Sequence, residues 1–115
     1  MMEPQVQDLE NIEISIAEAR KCIEFADRLA ALEKNADFKA IILDDYLKEN
    51  ALRLVRVKAD PSFQASEQQD FVIKQLDAIG ILNQFFNTIN IQAHNARMSL
   101  DNDLQERELL LAEKV

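Results

Sequence analysis

Residues 78–96 read AIGILNQFFNTINIQAHNA and contain no Lys, Arg, Asp or Glu, although charged residues make up 30% of the 115-residue chain. Asn, Gln and large apolar residues occupy most of its positions instead. Helix faces that meet water normally carry charge, so the sequence predicts that most of the circumference of this helix is covered by protein. A helix covered in this way indicates a packed helical fold.

The composition supports an all-α fold. One Gly and two Pro are too few for the many tight turns of a β-sandwich or barrel, whereas long helices need hardly any turn residues. The net charge is −8, with 21 acidic against 13 basic residues. This balance opposes binding to a phosphate backbone, so the sequence predicts that nucleic acid is not a partner.

The sequence also disfavours a secreted, disulfide-bonded protein and a membrane protein. Cys22 is the only cysteine, so no intramolecular disulfide is expected, and the acidic start MMEPQVQDLE does not resemble an export signal. The uncharged run has about the length of a membrane span, but its Asn, Gln, Thr and His residues make it too polar for lipid. We therefore expect no membrane association.

The first segment has apolar residues at alternating spacings of three and four. This is the seam of a coiled coil and predicts a helix over residues 6–34. A second apolar stripe, which begins at Cys22, predicts that the later half of this helix has two neighbours. The seam comprises Leu9, Ile12, Ile16, Ala19, Ile23, Ala26 and Ala30, and the second stripe comprises Cys22, Phe25, Leu29 and Leu32.

Two further helices are predicted, over residues 38–58 and 66–112. Asn35 is expected to take the left-handed position that ends the first helix, and Asp37 to cap the second. Asp60-Pro61 separates the second from the third, because a residue before proline is pushed out of the α region. We predict one helical domain over residues 1–115. Its architecture is a three-helix bundle, with a helical hairpin and one long C-terminal helix.

The third helix carries the candidate interaction or packing face. At about 47 residues it would be roughly 70 Å long, so it either breaks near residues 101–103 or extends beyond the rest of the domain. In the second case the leucines of residues 100–111 would be uncovered, which normally marks an association surface and predicts a homo-oligomer. The face comprises Ile79, Leu82, Phe86, Ile89, Ala93, Leu100 and Leu104.

No residue set indicates catalysis. His94 is the only histidine and lacks the partners of a general base or metal ligand. Asp44 and Asp45 are adjacent helical positions, which point about 100° apart and cannot chelate together. The thiol of Cys22 lies on an apolar stripe, where packing is its expected role. We therefore predict no enzyme, no catalytic residue, no metal and no cofactor.

The amides around Phe85 and Phe86 allow two interpretations. Stacked aromatic rings with amides could bind nucleotide bases, but no Lys or Arg lies nearby. Alternatively, the phenylalanines pack in the core and the amides form hydrogen bonds between helices. Paired buried amides fix the register and oligomeric state of helices, and we favour this interpretation.

Short strings within residues 29–86 resemble a group of small acidic helical proteins that tailed bacteriophages encode among their virion structural genes. These strings are LEKN at residues 32–35, DFK at 37–39, ALRLV at 51–55, KADP at 58–61 and DAIG at 77–80. The resemblance implies a viral structural or assembly role, in the host cytoplasm or within the virion. No functional residue can be carried over from it.

Two hypotheses follow from these observations. In the first, the chain is a phage virion or head-assembly component that packs against copies of itself or against other phage structural proteins. In the second, it is a phage or bacterial adaptor that binds and inhibits a host protein, with its acidic surface guiding it to a basic patch.

Overall fold

The computed structural model describes residues 4–113, with side chains from Val6 onward, and these residues form three long helical segments. Helix α1 spans Pro4–Glu33, α2 spans residues 36–59 and α3 spans Ser66–Glu113. No strand occurs among the described residues, so the prediction of an all-α fold is confirmed and the predicted count of three helices fits. The predicted bounds differ from the observed ones by two residues at most.

Helix α2 is not a uniform α-helix. It begins as α-helix at Ala36–Phe38, continues as π-helix over Lys39–Glu49 and ends as α-helix at Asn50–Ala59. In the π-helical part each N–H donates to the carbonyl five residues before it, as the N–H of Asn50 does to Asp45. The apolar spacing of this segment does not distinguish such a widened turn from an ordinary α-helix.

The α1–α2 connection uses Asn35 differently from the prediction. Asn35 lies in the extended region, with φ −67° and ψ 125°, and its side chain accepts hydrogen bonds from the N–H groups of Asp37 and Phe38, each at 3.0 Å. Asn35 is therefore the N-cap of α2, which satisfies donors that the helix itself leaves unpaired. The predicted left-handed Asn35 and capping Asp37 are both wrong.

The α2–α3 connection begins at Asp60, as predicted. Asp60 is extended, with ψ 125°, and is followed by a single 3-10 turn, Pro61–Phe63. Its carboxylate accepts hydrogen bonds from the N–H and the hydroxyl of Ser62 at 2.9 and 2.8 Å. These two bonds lower the pKa of Asp60, because they stabilise its charged form.

The chain divides into two compact units. Unit 1 contains the described residues up to Arg28 and from Thr88 onward, and unit 2 contains residues 29–87. In unit 1 the two helices run antiparallel, since Glu13 contacts Arg107, Ser15 contacts Asp103 and Asp27 contacts Arg97. Isoleucine and alanine fill the seam between them, namely Ile12, Ile16, Ala19, Ala26, Ile89, Ala93 and Ala96.

Unit 2 has its own core where α2 and α3 meet. Leu54, Val72 and Ile79 are buried together. Larger side chains cover them in part, namely Tyr46, Leu47, Ala51, Val57, Phe63 and Leu76. All three helices contribute residues to unit 2, but only α1 and α3 contribute to unit 1. The predicted three-helix bundle therefore does not extend through unit 1.

The second apolar stripe of α1 is mostly uncovered. Leu29 is buried and Cys22 is half-buried, but Phe25 and Leu32 are exposed. Of the first seam, Ala30 is also exposed. The prediction that the later half of α1 packs on two sides is therefore wrong, because an apolar stripe in the sequence does not reveal whether a neighbour exists to cover it.

Candidate protein-interaction surfaces

The predicted interaction or packing face of α3 is turned toward its own chain. Ile79, Ile89 and Ala93 are buried. The other four members of this face are half-buried, namely Leu82, Phe86, Leu100 and Leu104. The ring of Phe86 packs edge-on against Phe38 of α2, with 6.1 Å between the ring centroids. The three buried residues therefore pack within their own units, whereas the four half-buried residues keep part of their surface exposed.

The uncharged stretch is much less covered than the sequence predicted. Thirteen of the nineteen residues 78–96 are exposed, so the expectation that protein covers most of this helix is wrong for the single chain. In unit 2 the exposed residues include Ile81 and Phe85, which are 66% and 54% exposed. In unit 1 they include Ile91. The charge-free composition therefore lies largely on the surface.

Ile81 and Phe85 are candidate surface residues that do not belong to the predicted face of α3. They are four positions apart and so share one helix face, which differs from the face of Ile79, Leu82 and Phe86. Their spacing of four positions is visible in the sequence as a second apolar stripe within residues 78–96. The sequence alone did not distinguish which of the two faces packs within the chain.

The end of α3 in unit 1 carries a further exposed apolar group. Leu109 and Leu111 are exposed, whereas Leu110 is half-buried. The sequence predicted uncovered leucines here if the helix continued, and α3 does continue unbroken to Glu113. Leu100 and Leu104, which belonged to the same prediction, are half-buried instead.

An open groove lies between α2 and α3 in unit 2, and we call it the Gly80 groove. Buried or half-buried apolar residues form its inner part, and exposed polar or charged residues form its outer part. The π-helical segment of α2 supplies one wall and the start of the uncharged stretch supplies the other. The lining comprises Lys39, Leu43, Asp44, Leu47, Lys48, Ile79, Gly80 and Asn83.

Gly80 is the only glycine in the chain, and the fold of the chain does not require it. Its φ is not positive, and a Cβ built on it would meet no heavy atom within 4 Å. A glycine inside a helix costs about 1 kcal/mol relative to alanine. This cost has no compensation within unit 2, and glycine is the residue that allows another backbone to approach closely.

The charges of the Gly80 groove are unusual for this acidic chain. Its lining has two cations, Lys39 and Lys48, and one anion, Asp44. Neither lysine belongs to an ion pair within residues 4–113, unlike Arg97, which pairs with Asp27, and Arg107, which pairs with Glu13. The groove therefore combines an apolar interior, a glycine and a small excess of positive charge.

Neither a cluster of metal ligands nor a membrane-spanning helix occurs within residues 4–113. No group of three or more His, Cys, Asp or Glu side chains is placed to hold a metal ion in the described part of the chain. His94, Asp44 and Asp45 are all exposed and Cys22 is half-buried. None of the helices within residues 4–113 combines the length and the hydrophobicity that a membrane span requires.

No protein-family model, curated protein or solved structure matches this chain.

Proposed function

We propose that this chain is a non-enzymatic helical interaction protein, a bacteriophage virion or head-assembly component that acts by helix packing and oligomerisation. The main support is the exposed, charge-free face of α3. In unit 2 it presents Ile81 and Phe85 to solvent, in a chain of which 30% is charged. Apolar side chains exposed in this way normally mark an association surface.

Three-helix packing in unit 2 is part of this proposal. Residues 29–87 hold the end of α1, all of α2 and the start of α3. They also contain all five of the strings that resemble the phage proteins. We propose that these residues act as a helical bundle that presents the association surface.

The residues also explain why we do not propose catalysis, a cofactor or nucleic-acid binding. The net charge of −8 opposes phosphate contacts. His94 is exposed on α3, and only α3 residues surround it in sequence. The proposed setting is the host cytoplasm, where the chain would join other phage structural proteins and enter the virion or act during its assembly.

Mass spectrometry of purified virions and of proheads tests this function. We expect tryptic peptides of the chain in at least one of the two preparations, at a copy number above that of contaminating host proteins. Absence from both would overturn the proposal. A host adaptor, the second hypothesis, would instead retain one stoichiometric host protein from lysate at low salt and release it at high salt, because its acidic surface would guide the contact.

A further inference from the structure

The Gly80 groove is open in the single chain, and its three properties together specify an occupant. We propose that the groove is filled by helix α3 of a second copy of this chain, with the two Gly80 residues facing each other across a two-fold axis. This inference rests on the proposed function and adds a second association surface to it, since Gly80 lies on a different side of α3 from Ile81 and Phe85.

The first property is the missing side chain. With no heavy atom within 4 Å of a Cβ at Gly80, a second helix can approach the backbone of α3 at this point more closely than side chains usually allow. Helices normally pack with 8–10 Å between their axes, depending on the side chains at the contact. Under two-fold symmetry the same glycine serves both copies, because an isologous interface uses one patch twice.

The second property is the apolar interior. Leu43 and Leu47 are half-buried in the single chain, and they lie beside the buried Ile79. A helix placed over Gly80 would remove more of these two leucines from water. Burial of apolar surface is the main favourable contribution to association of this kind.

The third property is charge. Two chains of net charge −8 repel each other, so they can associate only where charge is absent or complementary. The groove lining carries Lys39 and Lys48 against Asp44 alone. Helix α3 carries no charge from residue 78 to residue 96 and has the exposed Asp77 immediately before this stretch. Helix α3 of the second copy thus brings the carboxylate of Asp77 toward Lys39 and Lys48 of the groove, and the rest of its contact face carries no charge.

The two-fold arrangement fixes a register. Antiparallel α3 helices that cross at Gly80 place Asp77 of one copy opposite Asn83 of the other. Both residues are exposed, and each is three positions from Gly80, so they share its side of the helix. The amide of Asn83 can then donate a hydrogen bond to the carboxylate of Asp77, and the symmetry forms this pair twice.

Cysteine cross-linking of full-length chains tests the register. In a Cys22→Ala background, Asp77→Cys and Asn83→Cys chains are prepared separately, mixed and oxidised. Disulfides require Cα atoms within roughly 7 Å, so we expect a heterodimer of the two variants in the mixture and little cross-linking of either variant alone. As a control, Ile41→Cys, which is 64% exposed and does not line the groove, should cross-link with neither.

Substitutions at Gly80 test the close approach by a second route. Gly80→Ala should raise the Tm of the dilute, monomeric chain by a few degrees, because alanine favours the helix and has free space. The same change should weaken the dimer at least tenfold, and Gly80→Leu should weaken it further, as measured by analytical ultracentrifugation. Ala17→Leu is the control, since Ala17 is exposed on α1 and lines neither the groove nor the face of Ile81 and Phe85.

The outcomes separate this inference from the proposed function. Three results would each overturn the inference. They are unchanged association of Gly80→Leu, no cross-link between Asp77→Cys and Asn83→Cys, and a wild-type chain that stays monomeric at a concentration of about 100 μM, which is roughly 100 times a micromolar Kd. The chain would still be a virion component if mass spectrometry found it in particles. Conversely, the cross-link together with absence from virions and proheads would support the groove and remove the phage role.

Discussion

The two units bury their apolar residues in different ways. In unit 1, two antiparallel helices cover one narrow stripe on each other, and alanines such as Ala19 and Ala93 occupy much of it. In unit 2, a small buried core of Leu54, Val72 and Ile79 is surrounded by large, half-buried side chains. A contact between two helices can bury only one face of each. Unit 2 contains parts of three helices and still leaves the Gly80 groove open.

Polar contacts follow the same division. In unit 1 most of them join α1 to α3, between residues far apart in sequence. The hydroxyl of Ser15 donates to Asp103 at 2.5 Å, and Arg107 pairs with Glu13 at 3.1 Å. In unit 2 they are local, as in the side chain of Gln69, which donates to the carbonyls of Lys58 and Phe63 at 3.0 and 2.7 Å. The first set fixes the register of two helices, and the second set fixes one connection.

The largest expected effect comes from a charge in the seam of unit 1. Ile16 is 1% exposed, so Ile16→Asp loses its packing and buries an unpaired carboxylate, at a cost of roughly 4 kcal/mol or more. Urea denaturation followed by circular dichroism measures this loss. Ile14→Asp, at a position that is 59% exposed on the same helix, should cost less than about 0.5 kcal/mol.

Hydrogen exchange on Ile16→Asp would sharpen the comparison of the units. Since the core of unit 2 is formed entirely by residues 29–87, its amides should keep their protection while those of residues 9–28 lose theirs. Equal loss of protection in both units would mean that they unfold as one cooperative structure.

A cavity in unit 2 should have the next largest effect. Leu54 is 3% exposed, and Leu54→Ala should lower the free energy of unfolding by about 2–4 kcal/mol, through lost transfer energy and the space left behind. Leu52, which is 52% exposed two positions away, provides the matched control. If both leucine variants unfolded at the same urea concentration, the assigned core of unit 2 would be wrong.

The α2–α3 connection should add a smaller, pH-dependent contribution. The usual pKa of an aspartate is near 3.8, and the hydrogen bonds from Ser62 hold the pKa of Asp60 below that value. Their contribution to stability is therefore complete above that usual value and is lost as the pH falls through the lower pKa of the folded chain. Asp60→Asn keeps an acceptor for Ser62 but cannot titrate.

Thermal unfolding between pH 7 and pH 2.5 measures this difference. The Tm of the wild type should exceed that of Asp60→Asn by a constant amount above about pH 5, and the two should converge in acid. A difference in Tm that grows as the pH falls would contradict the assigned hydrogen bonds.

The smallest expected effect concerns the ion pairs of unit 1. A double-mutant cycle on Arg107→Ala and Glu13→Ala should give a coupling energy of about 0.5 kcal/mol, since both side chains are partly exposed. The pair of Arg97 and Asp27 is longer, at 3.9 Å, and its coupling should be close to zero. High salt should reduce the first value, and a larger coupling for the second pair would contradict these distances.

Several features of the fold could be predicted from local patterns. The alternating spacing of Ile12, Ile16 and Ala19 predicted a buried seam, and all three are buried. Asp60-Pro61 predicted the end of α2. In each case the cause is short-range, because helical periodicity and the steric effect of proline act within a few residues.

Other features could not be predicted because they depend on which elements meet. Phe25 and Leu32 form an apolar stripe as regular as the buried seam, yet both are exposed. Asn35 caps α2 instead of ending α1, since both roles suit asparagine at a helix junction. For the candidate surfaces, the sequence predicted cover around most of the uncharged stretch, whereas most of its residues are exposed in the single chain.

The sequence by itself determined that this chain is helical, where its three helices lie to within two residues, and that residues 78–96 are free of charge. These properties follow from composition, periodicity and proline. Only the tertiary structure decided that Ile79 packs inward while Ile81 faces solvent, and that Gly80 lies in an open groove. The physical reason is that a helix with apolar residues on two faces can bury either one, and the choice depends on the neighbouring helices that contact it.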